Sequence, residues 1–253
     1  MTFALAPAKL SVVIPVYNEN IFIQELLRRV QEAPYDKELI VVDDCSTDGT
    51  RQWLQQVAGH QELGKREIAI LNETARLPIG NIRIFFQEKN QGKGAALRRG
   101  FEEVKGDVVI VQDADLEYDP KDYPKLLEPI LDGRADVVFG SRFLGGPQRV
   151  HFFWHYVANS MLTLLSNMLS NLKLSDMETG YKAFRTEVVK RMRLRSNRFG
   201  FEPEVTARVA KGKWRIYEVP ISYYGRTYAE GKKITWRDGV LALWHVIRYN
   251  LFA

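Results

Sequence analysis

Short apolar runs alternate with amphipathic stretches through the N-terminal half of the chain. The apolar runs predict five strands, at residues 10–17, 38–42, 81–86, 108–111 and 136–139. Between them, apolar residues recur at three- and four-residue spacing and predict helices after Asn18, around Trp53, from Gly94 to Val104, and over 123–131. Residues 59–80 show no clear period and are interpreted as a variable insertion. Regular alternation of strand and helix predicts an α/β fold with a parallel, doubly wound sheet.

The pattern changes after Arg142. A long helix is predicted with one face apolar and one face of small, uncharged polar residues, which is unusual for a helix facing water. It is either a core helix packed through small polar side chains or a helix at a membrane interface. Residues 175–184 and 215–223 are predicted to be extended, with a helix over 203–210. The apolar face comprises Phe153, Trp154, Val157, Met161, Leu164, Leu165 and Met168, and the polar face Asn159, Ser160, Thr163, Ser166, Asn167, Ser170 and Asn171.

The last predicted helix, 235–251, carries an apolar stripe flanked by arginines. This pattern suits a bilayer surface and divides the chain into a main domain, 1–233, and an amphipathic appendage, 234–253. The stripe consists of Val240, Trp244, Ile247 and Leu251, and the arginines are Arg237 and Arg248.

Composition narrows the class of partner and the compartment. The 253 residues suffice for one large domain, and the net charge of +5 indicates an anionic partner such as a nucleotide, a phospholipid surface or a nucleic acid. One cysteine, Cys45, permits no internal disulfide and favours a reducing compartment. We expect neither a signal peptide nor a transmembrane helix.

Acidic residues follow the apolar run at 108–111 directly. Asp113, Asp115 and Glu117 stand at alternate positions, where a buried strand must end because carboxylates cannot lie inside its sheet. Ligands of open α/β sheets bind beyond the carboxyl ends of strands. Hard oxygen ligands beside a diphosphate suit Mg²⁺ or Mn²⁺. The alternative is an ordinary turn formed by Asp and Pro120.

Two further strand ends are predicted to share this edge, because all three strands run parallel. They carry Tyr17 to Glu19 and Asp43-Asp44, whose acids could accept hydrogen bonds from a base and a ribose. Gly92 and Gly94 permit close backbone approach, and the helix that follows could favour anions. The sequence lacks a P-loop and a dinucleotide-binding glycine motif.

Taken together, these motifs resemble family 2 glycosyltransferases with the GT-A fold. The first three are 13–19 (VIPVYNE), 41–50 (VVDDCSTDGT) and 113–115 (DAD). Downstream, 140–142 (GSR), 176–182 (DMETGYK) and Gly225-Arg226 followed by Lys232-Lys233 are similar to the polyprenyl-phosphate, or dolichyl-phosphate, mannosyl- and glucosyltransferases. The resemblance extends from Leu10 to about Gly239.

The resemblance implies a role for each matching residue. Arg142 matches the arginine that meets the acceptor phosphate. Ser160 stands where some relatives have a serine preceded, four residues earlier, by a second arginine. In this sequence Tyr156 occupies the position of that second arginine, so Arg149 or His155 could replace it. Positions implied at the nucleotide sugar are Pro15, Tyr17, Glu19, Asp44, Asp113, Arg226 and Lys233; those implied at the metal are Asp115 and Glu117, the latter where relatives often have Gln.

The implied reaction moves mannose or glucose from GDP-mannose or UDP-glucose to polyprenyl phosphate, with Mg²⁺ or Mn²⁺ and with inversion. It would occur at the cytoplasmic face of a membrane, with Asp115 and Arg142 as the catalytic residues, and the resemblance leaves room for a partner membrane chain. A phosphate acceptor is already anionic and needs cations rather than a base. A hydroxyl acceptor needs a base, for which Asp176 and Glu178 are the nearby candidates, although the resemblance makes Asp176 structural.

Other activities stay open on the sequence alone. A family 2 enzyme acting on a saccharide or glycolipid hydroxyl is the nearest alternative. A nucleotidyltransferase is disfavoured because no basic glycine-rich loop follows the first strand. A nucleic-acid-binding module is disfavoured because the aromatic residues lie on apolar stripes rather than among basic residues.

Overall fold

The computed structural model describes residues 8–145, 149, 153–198, 200–226 and 236–252. The strands are β1 (Leu10–Val16), β2 (Lys37–Asp43), β3 (Glu67–Ile70), β4 (Ala75–Pro78), β5 (Ile82–Phe86), β6 (Val108–Val111), β7 (Val137–Ser141), β8 (Lys182–Arg185) and β9 (Ile216–Pro220). The helices are α1 (Ile23–Glu32), α2 (Thr50–Glu62), α3 (Lys93–Glu102), α4 (Tyr123–Leu131), α5 (Phe153–Ser170), α6 (Thr186–Arg191), α7 (Phe201–Lys211) and α8 (Trp236–Leu251), with a 3₁₀ turn at Pro120–Asp122.

A seven-stranded sheet forms the centre, in the order β5-β2-β1-β6-β8-β7-β9. Its neighbours are parallel except at β8, which runs antiparallel to both β6 and β7. Buried apolar clusters lie on both faces of the sheet, one including residues of α1, α2 and α4 and the other residues of α3, α6 and α7. The predicted α/β fold with a mostly parallel, doubly wound sheet is confirmed.

Parallel pairing brings the functional strand ends together. Val13 of β1 pairs with Val111 of β6, and Val16 of β1 pairs with Asp43 of β2. All four residues of β6 are buried, and the strand ends just before Gln112, as predicted. The segments after β1, β2 and β6 therefore start at one edge of the sheet.

Two segments differ from the prediction. Within residues 59–80, for which no element was predicted, β3 and β4 pair as an antiparallel hairpin. Its strands have four residues each, too few for a clear period of two to emerge. Residues 175–184 are largely irregular, with β8 starting only at Lys182, because the chain before it turns to form one wall of the cleft described below.

The long helix α5 turns its polar face toward the protein. Thr163 and Ser166 are buried, whereas Met161, Leu164 and Met168 are 67%, 61% and 72% exposed. α8 packs against α5 and α7 through Ala242, Val246 and Tyr249 and leaves Val240 and Trp244 exposed. Within the described residues no helix is both long enough and apolar enough to cross a bilayer.

Candidate functional site

A cleft of about 410 Å³ opens where β1, β2 and β6 end. Loops after these strands form one side, and segments from the C-terminal half form the other. The residues that line it are Pro15, Val16, Tyr17, Glu19, Asp44, Asn90, Gly92, Lys93, Ala96, Asp113, Ala114, Asp115, Glu117, Tyr118, Arg142, Glu178, Gly180, Arg198, Glu202, Tyr223 and Arg226.

Three carboxylates at one end of the cleft share a single guanidinium group. Arg226 lies 2.9 Å from Asp115, 3.2 Å from Glu117 and 3.4 Å from Glu19. Leu116 adopts a left-handed conformation with φ 60°, and the Glu117 amide donates to the Asp115 carboxylate at 3.2 Å. Burial raises the pKa of Asp115, and the neighbouring charges of Glu117 and Asp113 raise it further. This end of the cleft therefore attracts a cation, and in this structure the cation is Arg226.

The donor set at this end suits a hard divalent ion. Asp115 and Glu117 offer carboxylate oxygens, the ligands that Mg²⁺ and Mn²⁺ prefer. Within the described residues, no three His, Cys, Asp or Glu side chains are grouped closely enough to hold a metal by themselves. A Mg²⁺-type ion needs only one or two carboxylates when substrate phosphates and waters complete its shell. The pair therefore fits a metal that is held jointly with a diphosphate.

A lysine on α3 joins the donor side of the cleft to α7. Lys93 lies 2.9 Å from the Asp113 carboxylate and 3.0 Å from the Glu202 carboxylate. Burial opposes the charge of Lys93, but the two carboxylates outweigh burial and raise its pKa well above its ordinary value. Lys93 therefore remains a cation at the floor of the cleft.

A second part of the cleft carries Arg142, whose guanidinium lies 5.1 Å from the centre of the Tyr223 ring. Nε and one terminal nitrogen of Arg142 each donate to the fully buried Asp176 at 2.7 Å, and the same terminal nitrogen donates to Asn159 of α5 at 3.2 Å. Asn159 also donates to Asp176, at 3.3 Å. Arg142 lines the cleft while it is held by Asp176 and Asn159. Because a guanidinium group has five N–H donors, some of them remain for a ligand.

The segment from Asp176 to Lys182 joins the part of the cleft at Arg142 to the part at Asp113 and Lys93. Oε1 of Glu178 is buried there and has no hydrogen-bond partner among the described residues, and burial together with Glu202 raises the pKa of Glu178 to about 8. Lys182 is fully buried and donates to the carbonyl oxygens of Met177 and Thr179. Burial lowers the pKa of Lys182 to about 8.

The Asp44 carboxylate holds the turn before α3. It accepts from the amides of Gln91 and Gly92 at 2.8 and 2.7 Å. Gly92, at φ 98°, and Gly94 lie against the backbone of Ser196 and Asn197, so close that a Cβ at either glycine would clash. The close approach predicted for these glycines is thus observed, but toward the protein's own loop, which brings Arg198 to the cleft.

Most residues predicted for the site lie along this cleft. Ser160 does not line it, and Asn159 rather than Ser160 contacts Arg142. Lys233 lies outside the described residues. Those that line the cleft are Pro15, Tyr17, Glu19, Asp44, Asp113, Asp115, Glu117, Arg142 and Arg226. Their roles toward a substrate stay predictions.

Four further charged residues line the cleft that the sequence did not single out as binding residues. Lys93 stands between Gly92 and Gly94, and only the two glycines indicated a function in the sequence. Arg198 lies in a segment without a recognisable motif. Glu202 lies in the acidic first turn of α7, and only the structure shows that this turn is buried. Glu178 was considered only as a base.

Comparison with known proteins supports the fold and the family. Residues 11–193 match the sequence profile described as Glycosyl transferase family 2. The chain belongs to this family. It is 30% identical to an undecaprenyl-phosphate mannosyltransferase of Micrococcus luteus, over 94% of this chain and 97% of the relative. It is 31% identical to a dolichol-phosphate mannosyltransferase of Pyrococcus furiosus, over 88% of this chain but only 59% of that longer relative.

Solved structures confirm the GT-A fold of this family 2 member. Glucosyl-3-phosphoglycerate synthase from Mycobacterium tuberculosis, in complex with Mn²⁺, UDP and phosphoglyceric acid, superposes with a TM-score of 0.70. The alignment covers 97% of this chain and 80% of that one, at 19% identity. At this identity the likeness establishes the architecture alone.

Proposed function

We propose that this family 2 glycosyltransferase moves a hexose from a nucleotide sugar to a polyprenyl phosphate, with inversion at the anomeric carbon. The observation that carries the proposal is that one cleft is lined both by the paired carboxylates Asp115 and Glu117 and by an oriented arginine, Arg142. The names of the relatives from Micrococcus and Pyrococcus, both polyprenyl-phosphate sugar transferases, support this choice of acceptor.

The carboxylate end is assigned to the nucleotide sugar. Tyr17, Glu19 and Asp44 would meet the base and ribose, and Asp115 and Glu117 would hold Mg²⁺ or Mn²⁺ against the diphosphate. The metal, when bound, neutralises charge on the leaving diphosphate. Arg226 must then exchange its carboxylate partners for phosphate oxygens, which are equally good partners for a guanidinium.

The Arg142 end is assigned to the acceptor phosphate. A lipid phosphate carries its negative charge at neutral pH, so attack on the anomeric carbon requires positioning rather than proton removal. Both oxygens of Asp176 are engaged by Arg142, which leaves this acid to orient the arginine. UDP-glucose and GDP-mannose are both retained as donors, because the cleft lining does not choose between them.

The acceptor also explains the outward apolar face of α5. Asn159 hydrogen-bonds to Arg142, so α5 stands directly beside the assigned acceptor site. The occupant we assign to the exposed apolar faces of α5 and α8 is the lipid bilayer that holds the acceptor. The chain would then act as a peripheral protein, and the single cysteine favours the cytoplasmic side.

Label transfer tests the proposed function directly. The full chain is incubated with radiolabelled UDP-glucose or GDP-mannose, polyprenyl phosphate, and Mg²⁺ or Mn²⁺, and the organic phase is counted. Label in that phase identifies donor and acceptor together. Asp115→Asn should lower turnover at least about a hundredfold, because metal catalysis usually contributes several kcal/mol.

Exposed Asp132→Asn is the control in this assay and should retain activity. Full turnover by Asp115→Asn, or by the wild type in excess chelator, would contradict the metal assignment. Label that never enters the lipid would contradict the acceptor.

One observation favours a second candidate, transfer to a saccharide or glycolipid hydroxyl. Glu178 lines the cleft, and its buried Oε1 has no partner among the residues that the structure describes, so a hydroxyl acceptor could use this carboxyl group as its base. The same label assay with free saccharides as acceptors separates this candidate from the first.

A further inference from the structure

The segment 176–180 links the two halves of the cleft. At one end, Asp176 holds Arg142. At the other, Gly180 lies so close to the Asp113 carboxylate and the Lys93 ammonium that an added Cβ would come within 2.3 and 3.0 Å of them. Glu178 is the midpoint, two residues from each end, so its Cα lies at most about 7 Å from either Cα.

The position matters because the transferred sugar must lie between the two halves. If the donor diphosphate lies by Asp115 and the acceptor phosphate by Arg142, the hexose that passes from one to the other occupies the space between. Glu178 lines this cleft, as does Tyr118, whose hydroxyl accepts from the Gly180 amide at 3.0 Å. The wall beside the sugar is thus fixed to the protein at both ends.

The Glu178 carboxyl group keeps one hydrogen-bond acceptor unused. Its Oε1 is buried and has no hydrogen-bond partner in the part of the chain that the structure describes. Charged groups that face it are Glu202 from α7, Lys182 from β8, Arg142 just after β7, and Asp176. Among these, Lys182 donates hydrogen bonds to backbone carbonyl oxygens, and Arg142 donates to Asp176 and Asn159. A buried oxygen without a partner costs free energy unless a ligand supplies the donor.

We propose that Glu178 recognises the transferred hexose by accepting hydrogen bonds from its hydroxyl groups, and so helps to determine which sugar is used. The inference rests on the proposed function of the cleft for the location of the sugar. Sugar hydroxyl groups are donors of the kind that Oε1 lacks, and a site built to bond a hydroxyl group strongly rejects analogues without it.

Two other roles for Glu178 make different predictions. As a partner that only balances Lys182 and Arg142, it would affect folding and nucleotide binding without regard to the sugar. As a general base, it would affect turnover and its pH profile without affecting donor affinity. A sugar contact affects the affinity for the nucleotide sugar and spares that for the nucleotide.

Calorimetric titration of the full chain with Mn²⁺ separates these roles. The probes are UDP, GDP, UDP-glucose and GDP-mannose, and the variants are Glu178→Ala and Glu178→Gln. We expect Glu178→Ala to lower the affinity for the nucleotide sugar about tenfold or more, and to change the affinity for the parent nucleotide less than twofold. Glu178→Gln should recover part of the loss, since an amide also hydrogen-bonds hydroxyl groups. Glu187→Ala, on the exposed side of α6, is the matched control and should change neither affinity.

Deoxy analogues then identify the contact. For the nucleotide sugar that binds, each hydroxyl group is removed in turn and the affinity is measured for the wild type and Glu178→Ala. At the hydroxyl group that Glu178 contacts, removal should weaken binding by the wild type about tenfold and by the variant hardly at all. Additive losses at every position would overturn the proposal.

The remaining outcomes also decide the matter. Equal losses of affinity for the nucleotide and the nucleotide sugar would show that Glu178 has a structural role. Intact binding with abolished turnover would show that Glu178 is a general base. Either result overturns the proposal. Failure of the wild type to bind any of the nucleotide sugars overturns it together with the proposed function. Nucleotide-sugar binding with the predicted selective loss, but without label in polyprenyl phosphate, supports Glu178 and contradicts only the acceptor.

Discussion

Arg226 holds the carboxylates that are assigned to the metal. Its guanidinium contacts Glu19, Asp115 and Glu117, and these side chains are largely buried, with exposed fractions of 9–19%. A divalent ion arriving without nucleotide must compete with this internal cation. Because the diphosphate offers the guanidinium new partners, nucleotide should ease the competition.

Removal of Arg226 should therefore tighten metal binding. We predict that Arg226→Ala binds Mn²⁺ about five- to tenfold more tightly than the wild type in the absence of nucleotide, which corresponds to about 1 kcal/mol. Titration followed by electron paramagnetic resonance measures this without any assay of activity. Arg134→Ala, which removes an exposed arginine paired with Asp132, should leave the affinity unchanged. Equal Mn²⁺ affinity in the wild type and Arg226→Ala would contradict the competition.

The raised pKa of Glu178 has a consequence for stability. Its folded-state pKa of about 8 exceeds the ordinary value of 4.5, so the folded protein binds this proton more tightly than the unfolded chain. Between pH 4.5 and about 8, rising pH ionises Glu178 in the unfolded state first and lowers the free energy of unfolding. Charges on Glu202, Lys182, Arg142 and Asp176 act on the pKa of this carboxyl group.

The matched comparison is Glu178→Gln, which keeps the shape and cannot ionise. We predict equal stability of the two proteins near pH 4 and a growing advantage of the variant up to pH 8, reaching a few kcal/mol. Urea unfolding at a series of pH values measures this difference. A constant difference across the series would show that the carboxyl group ionises normally.

Residue roles were predictable where they depend on strand ends. Asp113, Asp115 and Glu117 follow an apolar run, so their place at the sheet edge follows from the cost of burying charge. Lys93 and Glu202 could not be paired from the sequence, because their contact depends on how α3 and α7 pack over the sheet. The same holds for Arg226, whose carboxylate partners lie far away in the sequence.

At the scale of elements, α5 shows what periodicity can and cannot provide. The period of its apolar residues predicted the helix, but not which face is buried. The small polar face is the buried one, because Asn159 accepts a hydrogen bond from Arg142 and the Thr163 hydroxyl accepts one from the Met177 amide at 3.1 Å. Those partners belong to other segments. The sequence therefore left both interpretations of this helix open.

The exposed face of α5 leads to a prediction about membrane binding. Leu164 is 61% exposed, so Leu164→Gln should hardly change the free energy of unfolding. If this face enters the bilayer interface, the same change should weaken binding to phospholipid vesicles roughly tenfold, since burial of a leucine side chain contributes about 1.5–3 kcal/mol. Vesicle flotation and thermal unfolding measure the two effects.

Leu63→Gln provides the control for this prediction, because Leu63 is 76% exposed just after α2. It should leave vesicle binding unchanged. Equal effects of the two substitutions would show that the α5 face has no special contact with lipid.

At the scale of the whole molecule, the two halves of the chain contribute different parts of the cleft. The N-terminal half supplies the strand ends with their carboxylates, and the C-terminal half supplies Arg142, Glu178 and Arg226. The regular alternation in the first half made its fold predictable from sequence. In the second half β8 is antiparallel and short, so its position between β6 and β7 required the structure.

The net charge of +5 adds a second attraction to an anionic membrane. Basic residues near such a surface contribute about 1 kcal/mol each, and salt screens that contribution within about 10 Å at 0.1 M. We predict that binding to anionic vesicles weakens as salt rises, and that weaker binding through the apolar faces persists at high salt.

Lys232→Glu/Lys233→Glu, beyond the described residues, should weaken vesicle binding further, at least about tenfold at low salt. Lys65→Glu/Arg66→Glu changes the net charge equally in the exposed segment between α2 and β3. If both double variants lose the same affinity, net charge alone attracts the protein; if neither binds less than the wild type, electrostatic attraction to the membrane is refuted.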